Sequence, residues 1–357
     1  MESVVMTPNG RFWHDKKVLL TGHTGFKGSW LALWLVRRGA RVIGVALPPS
    51  TDPSLFVLAN VDQAVDSRLC DIRSREPLMA LIRDARPDIV FHLAAQPLVR
   101  AGYRQPVETF STNVVGTLNV LEALRETESV RVAVMVTTDK VYRDLVPPRA
   151  YREDDPLGGG DPYSASKAAA EMVIQGYRNA FLAQRGIAVA SVRAGNVIGG
   201  GDWSEDRLIP DAVRAWQAAE TLRVRRPEAI RPWQHVLDPL FGYLRLAEML
   251  WEKPDLAGGF NFGPDQHEAT TVRKVVELAR QAFPAAKVLY QQADEGPEEA
   301  AALSLDVSKA RALLGVSRRW ALELAVERTM RWYRDQTHAR DARSLCEADI
   351  LAYENAQ

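Results

Sequence analysis

The 357-residue chain predicts an α/β fold, a doubly wound parallel sheet with a smaller, mixed C-terminal lobe. Three observations carry that expectation. Short apolar runs alternate with helical stretches from residue 17 to residue 193. A glycine-rich turn, Gly22-His-Thr-Gly25-Phe-Lys-Gly28, joins the first run to the first helix. Beyond about residue 195 the alternation gives way to glycine, proline and tryptophan. Strands separated by helices pair in parallel, because a parallel neighbour needs a long crossover connection.

The first strand covers 17–21, and a helix follows over 28–38, closing at Gly39. Residues 41–46 form the second strand, completing a βαβ unit. The pattern then repeats: helix 74–86, strand 88–93, helix 107–127, strand 130–137. A helix over 161–184 has Asp161 as its N-cap and Pro162 at N1, where a missing N–H does no harm. Strand 187–193 follows. In the less regular part, helices are expected over 208–220, 239–252, 272–282 and 322–335. The dinucleotide-binding domain is placed at 12–195, with about 236–264 returning to it, and the smaller lobe occupies most of 196–357. That lobe is expected to close over a cleft at the carboxyl ends of the strands.

Forty-five basic side chains balance 45 acidic ones. A neutral chain removes the usual electrostatic case for nucleic acid or an anionic membrane as partner. Cys70 and Cys346 stand in no CxxC or metal-ligand spacing, so no metal is expected and both thiols read as unpaired in a reducing compartment. No signal peptide is expected in residues 1–12, and the apolar run 30–36 is too short to span a bilayer. A cytoplasmic protein is the expectation.

The glycine turn, of form G-x-x-G-x-x-G between strand and helix, is the phosphate-binding signature of a Rossmann sheet. Gly22 permits the tight turn, Gly25 lets backbone approach a pyrophosphate and Gly28 lets helix pack on sheet. The carboxylate that usually ends the second strand and holds an NAD ribose is missing: that strand runs out as Val45-Ala-Leu-Pro-Pro-Ser50. No arginine replaces it, so the residues leave NAD and NADP open. Asp71-Ile72 offers an alternative contact to the adenine. His92, after an apolar run, reads as a packed histidine with a satisfied ring.

Thr138-Asp139-Lys140 follows the apolar run 130–137, and Tyr163 and Lys167 lie four residues apart on one helical face. A cationic Lys167 favours the phenolate of Tyr163, whose free pKa is about 10. Tyr163 can then take a proton from an alcohol. Thr138 can hydrogen-bond a substrate oxygen, and Asp139-Lys140 adds a second acid and base. One pair oxidises an alcohol; two pairs can oxidise, eliminate and reduce. Arg193, Arg207 and Arg231, with Asn196, supply guanidinium forks suited to a diphosphate.

With these residues in place, the chain resembles the extended short-chain dehydrogenases/reductases that act on nucleotide sugars, and within them the CDP-glucose 4,6-dehydratases. The strings that carry the resemblance include Thr21-Gly-His-Thr-Gly-Phe-Lys-Gly-Ser-Trp-Leu31, Phe91-His-Leu-Ala-Ala-Gln-Pro-Leu-Val-Arg100 and Ser111-Thr-Asn-Val-Val-Gly-Thr117. Thr138-Asp-Lys140, Asp161-Pro-Tyr-Ser164 and Arg193-Ala-Gly-Asn-Val-Ile-Gly-Gly-Gly-Asp-Trp203 continue it, as do Arg207-Leu-Ile-Pro-Asp211 and Ile230-Arg-Pro-Trp-Gln-His-Val-Leu237.

The resemblance implies NAD as cofactor, held by Gly22, Thr24, Gly25, Phe26, Lys27, Gly28, Asp71, Ile72, Leu93, Ala94, Ala95 and Thr112, besides Tyr163 and Lys167. It implies CDP-glucose as substrate, met by Gln96, Asn196, Arg207, Leu208, Ile209, Arg231 and Trp233. It implies a homodimer built on helices 108–127 and 162–184, and a place in deoxysugar and surface-polysaccharide synthesis. Asp139-Lys140 carries most weight, since the dTDP-glucose dehydratases have Asp-Glu there and 4-epimerases lack the pair. One segment departs from the family pattern: 297–306 carries Glu298, Ala301, Ala302 and Ser304 where larger or basic groups are usual.

Overall fold

The computed structural model describes residues 10–147, 149–291 and 303–356. Its centre is one seven-stranded sheet: β1 Lys17–Thr21, β2 Arg41–Ala46, β3 Asp66–Leu69, β4 Ile89–His92, β5 Val132–Val136, β6 Ala188–Ala194 and β7 Gly259–Phe262. Every pairing is parallel, in the spatial order β7-β6-β5-β4-β1-β2-β3. The order reverses between β1 and β4, which opens a crevice beyond their carboxyl ends.

The inner strands are buried on both faces, and successive side chains enter different cores. Leu20, Phe91, Val134 and Val192 face one side, against Trp30 and Trp34 of α1 (Phe26–Arg37) and Leu240 and Leu244 of α6 (Leu237–Glu252). Leu19, Val90, Ala133 and Val189 face the other. They meet α2 (Arg75–Ala85), α3 (Gly116–Arg125) and α4 (Pro162–Tyr177) through Ile82, Val120 and Ile174. The smaller lobe carries α5 (Leu208–Gln217) and α7 (Val272–Arg280), with Thr221–Val224 paired to Lys287–Tyr290 and Ile230–Arg231 paired to Thr270–Thr271. α6 packs back on β5 and β6.

Two expected helices are interrupted. The stretch 107–127 is helical at Pro106–Phe110, opens into a wider π turn at Ser111–Val115, and resumes as α3. Asn113 in that turn exchanges hydrogen bonds with the backbone of Gln96 and reaches Ser166 at 2.9 Å, contacts that favour the extra residue. α4 likewise ends at Tyr177 and passes through a π turn at Arg178–Leu182. Its start follows expectation: Asp161 caps Ser164 N at 3.0 Å, with Pro162 at N1.

Two helices follow residue 320: α8 (Leu322–Thr337) and α9 (Ala342–Asn355), the second unanticipated. Its buried stripe is Ala342, Cys346, Asp349, Ile350 and Tyr353, a helical spacing. α9 packs on α1. Trp34 donates its indole N–H to Glu354 at 2.6 Å, Arg38 pairs with the same carboxylate at 2.7 Å, and Tyr353 donates to Asp238 at 2.6 Å. Of the departure at 297–306, residues 297–302 lie outside the described residues; Ser304 accepts the Tyr151 N–H through its carbonyl at 3.0 Å.

Candidate active site

A cleft of about 620 Å³ lies beyond the carboxyl ends of the strands and reaches into the smaller lobe. Its first arm is the turn between β1 and α1. Gly22 has φ +79°, and a Cβ there would stand 2.7 Å from Ala94 N, so only glycine lets the ends of β1 and β4 come together. Thr21 ties the two ends, accepting the N–H groups of Leu93 and Ala94 at 3.1 Å each. Thr24 donates to Leu47 O at 2.9 Å. The first turn of α1 holds no acidic residue, and Gly22, Thr24, Gly25, Phe26, Lys27 and Gly28 all line the cleft. This arm fits a dinucleotide, with the helix amides toward its pyrophosphate.

Asp71, Ile72, Leu93, Ala94, Ala95 and Thr112 line the same arm. The Asp71 carboxylate is already gripped by Arg73, whose Nε and Nη2 reach it at 2.9 and 2.6 Å. That grip holds its pKa below the usual value although burial works the other way. His92 is the packed histidine expected. Its ring meets Thr21 at 2.7 Å and Thr117 at 3.1 Å, and burial lowers its pKa to about 3.

The second arm is lined by Asn196, Arg207, Leu208, Ile209, Arg231 and Trp233. Arg100, Arg223, Arg225 and Arg226 line it too and were not anticipated. The basic run Arg223-Val-Arg-Arg226, at the end of a short strand, was the signal in the sequence for the last three. Arg231 is 7% exposed and Trp233 is buried, with no hydrogen-bond partner for its indole N–H among the described residues.

Two expectations are corrected. Gln96 does not line the cleft: its side chain donates to Thr109 at 2.8 Å and accepts from Leu98 N at 2.6 Å. Arg193 is also withdrawn from any diphosphate. It lies buried beneath the cleft floor, its Nε and Nη2 on the two oxygens of Glu171 at 2.9 Å each. A guanidinium with a buried carboxylate so close has its fork occupied.

Between the arms stand Thr138, Asp139, Lys140, Tyr163 and Lys167. The end of β5 presents the first three and the first turn of α4 presents Tyr163, with Lys167 one turn on. Asp139 is 2% exposed. Its Oδ1 accepts the Thr138 hydroxyl at 3.1 Å, while its Oδ2 is buried without a partner among the described residues. Burial raises its pKa, against the opposing charge of Lys140 and the Thr138 hydrogen bond. A carboxyl so placed favours the protonated form and can donate.

The phenol of Tyr163 differs from expectation. Burial raises its pKa, with the Thr138 hydrogen bond and the charge of Arg207 opposing. Lys167 donates to Val136 O at 3.1 Å, and burial brings its pKa down to about 8. The i, i+4 spacing does put both groups on one face of α4, but burial weakens the hold of Lys167 on the proton whose charge would favour the phenolate.

The sequence profile of the family described as GDP-mannose 4,6 dehydratase matches residues 19–329. Among curated proteins, CDP-glucose 4,6-dehydratase of Salmonella typhimurium is 44% identical over 97% of this chain and 98% of its own length. Among solved structures, MoeE5 in complex with UDP-glucose and NAD is 25% identical with a TM-score of 0.75, covering 90% of this chain and 99% of that one. The structure of dTDP-glucose 4,6-dehydratase from Bacillus anthracis in complex with NAD gives a TM-score of 0.74 at 22% identity, over 90% of this chain and 98% of that one.

Proposed function

The chain belongs to the GDP-mannose 4,6-dehydratase family, and we propose that its reaction is the one its 44%-identical, full-length relative is named for. It converts CDP-glucose to CDP-4-keto-6-deoxyglucose and water. Carbon 4 is oxidised, water leaves across carbons 5 and 6, and carbon 6 is reduced. The observation that carries this reading is Asp139: a buried carboxyl in the cleft with one oxygen unpartnered and its pKa raised.

The glycine turn and the amides of α1 hold NAD, the cofactor also bound in MoeE5. Bound there, NAD would supply reversible hydride transfer, serving both the oxidation at carbon 4 and the reduction at carbon 6. Tyr163 takes the proton of the carbon 4 hydroxyl, and Lys167 on the same face lends positive charge to the phenolate. Thr138 donates to the carbon 4 oxygen. The ketone acidifies the hydrogen on carbon 5, which Lys140 removes. Asp139, in its protonated form, donates to the hydroxyl leaving carbon 6, and Lys140 returns its proton to carbon 5 as carbon 6 is reduced. The arginines of the second arm, Arg207 and Arg231 foremost, take the diphosphate.

A homodimer is supported by exposed apolar side chains on adjacent helical segments. Val107, Phe110 and Val115 stand on the interrupted helix before α3, and Met172 and Phe181 on and after α4. Sedimentation equilibrium tests it. The free thiols of Cys70 and Cys346, with a nucleotide-sugar substrate and NAD, support a cytoplasmic location and a role in supplying deoxysugars for surface polysaccharide. Among the described residues no helix is long and apolar enough to cross a membrane.

The deciding experiment incubates the protein and NAD with CDP-glucose, dTDP-glucose, UDP-glucose and GDP-mannose separately and follows product mass. Loss of water from CDP-glucose is the expected result. Loss of water from another of the four alone would overturn the substrate, and a product of unchanged mass would replace dehydration by epimerisation.

A further inference from the structure

Glu171 has no part in the chemistry above, yet it is the most fully bonded carboxylate near it. It sits on α4 one turn beyond Lys167 and is 4% exposed. One oxygen accepts Thr137 Oγ1 at 2.6 Å and Arg193 Nε at 2.9 Å. The other accepts Ser191 Oγ at 2.7 Å and Arg193 Nη2 at 2.9 Å. Four donors fill the acceptor sites of an ionised carboxylate. Burial alone would raise its pKa, but Arg193, Thr137 and Ser191 together hold it below the ordinary value.

Two features tie this buried acid to the reacting groups. Thr137 immediately precedes Thr138, Asp139 and Lys140. Alternate residues at a strand end point to opposite sides, so anchoring Thr137 on α4 sets how Thr138 is presented to the cleft. The second feature is charge. Lys167 pays for its burial with a lowered pKa, and the opposing influence on it is the carboxylate of Glu171. The other charged or titratable groups facing the pair are Arg193 on β6, Arg178 after α4, His92 on β4, Lys27 on α1 and Tyr163 itself. Arg193 extends the network beyond the floor: its Nη1 donates to Tyr142 OH at 2.7 Å, and Tyr142 donates to Asn261 on β7 at 2.6 Å.

We propose that Glu171 is a positioning residue for the dehydration, anchoring Thr137 so that Thr138 and Asp139 face the substrate, and serving as the counter-charge that keeps Lys167 cationic beside Tyr163. This rests on the dehydratase reading and adds to it a buried residue that never touches substrate.

The test compares Glu171→Gln, Glu171→Asp and Thr137→Val with the unmodified chain. Two quantities are read: turnover with CDP-glucose, and the ionisation of Lys167 without substrate, isolated by subtracting the Lys167→Met counterpart. In Glu171→Gln, kcat falls about 10- to 100-fold while the Kd of CDP-glucose stays within about threefold, and Lys167 loses its proton about one pH unit lower. Glu171→Asp restores the ionisation and little of the turnover, because it keeps the charge but shortens the reach. Thr137→Val lowers kcat about tenfold and leaves the ionisation in place. Wild-type kcat and ionisation in folded Glu171→Gln would overturn the proposal. So would activity that falls only in proportion to the folded fraction measured by circular dichroism. If the Gln chain does not fold, Thr137→Val decides, and unchanged kcat there sinks the idea. Absence of turnover in the unmodified chain defeats the dehydratase reading instead; the Lys167 titration needs no substrate and still judges Glu171.

Discussion

Asp139 Oδ2 lies only 2.9 Å from the point where a Cβ on Gly195 would stand. The same Cβ would meet Pro232 Cγ at 2.7 Å, so a side chain at 195 is confined between the proposed acid and a proline ring. The glycine at the end of β6 therefore makes room for the Asp139 carboxyl.

Gly195→Ala is expected to push Asp139 out of place, since proline cannot yield as a flexible side chain would. Turnover should fall about 10- to 100-fold, as it does when a reacting group is displaced by a fraction of an ångström. NAD affinity, set at the far arm, should remain. Fluorescence titration of NAD beside steady-state kinetics checks the pair; equal losses in both would contradict the local account.

Asp139→Asn should trade activity for stability. The buried carboxyl has a raised pKa, so between the ordinary carboxylate range and its folded value the native state binds more protons than the unfolded one. Stability from this group is present at low pH and is lost as pH rises. Asparagine removes that dependence, so the melting temperature at neutral pH should rise while dehydration drops by about 10²- to 10⁴-fold. Calorimetry at two pH values, alongside product mass, reads both; a lower melting temperature at neutral pH would show that the carboxylate is stabilised by something this account omits.

Acid should loosen the core through histidines held neutral. His92 and His235 are buried with pKa lowered to about 3, and His23 to about 4, burial being the main cause in each. Below the unfolded value near 6.5 the unfolded chain binds the extra protons, so stability present above that value is lost as pH falls. Between about pH 6.5 and pH 5 each group should remove about 2 kcal/mol. Urea midpoints at the two pH values measure the sum, and His92→Asn should shrink it.

Gln96→Ala should behave as a structural change. The Gln96 side chain bonds Thr109 and Leu98 and stays out of the cleft. Its loss should lower stability by about 1–2 kcal/mol and leave the KM for CDP-glucose unchanged. A several-fold rise in KM without loss of stability would return Gln96 to the substrate.

What could be read in the sequence was chemistry with a local signature. The glycine turn, the Asp161-Pro162 start of α4 and the strand alternation each declare themselves within a few residues, and the fold followed from them. Asp139 could be named as an acid, but the burial that raises its pKa depends on chain distant in sequence, with Gly195, more than 50 residues away, lying beside its carboxyl. Arg193 was misjudged for the same reason. An arginine beside a glycine-rich segment reads as a phosphate ligand until Glu171, 22 residues earlier, is seen to face it. The π turn at Ser111–Val115 left no trace in apolar spacing, because Asn113 and its partners on other elements create it. α9 was the opposite case: its stripe and its Asp341 cap on Ser344 were present in the sequence and passed over.

The indole of Trp34 and the carboxylate of Glu354 are 320 residues apart in the chain. A ribosome adding roughly 10 residues per second takes about half a minute to cover that span. The helix that begins at the cofactor's glycine turn thus emerges well before α9 and cannot finish its packing until α9 has been made. In the meantime its tryptophan lacks its partner. Nascent chains stalled before residue 342 should leave Trp34 open to solvent quenchers, and chains carrying α9 clear of the ribosome should protect it. Birth order and assembly order differ in this protein: the helix at its cofactor turn waits for one made long after it.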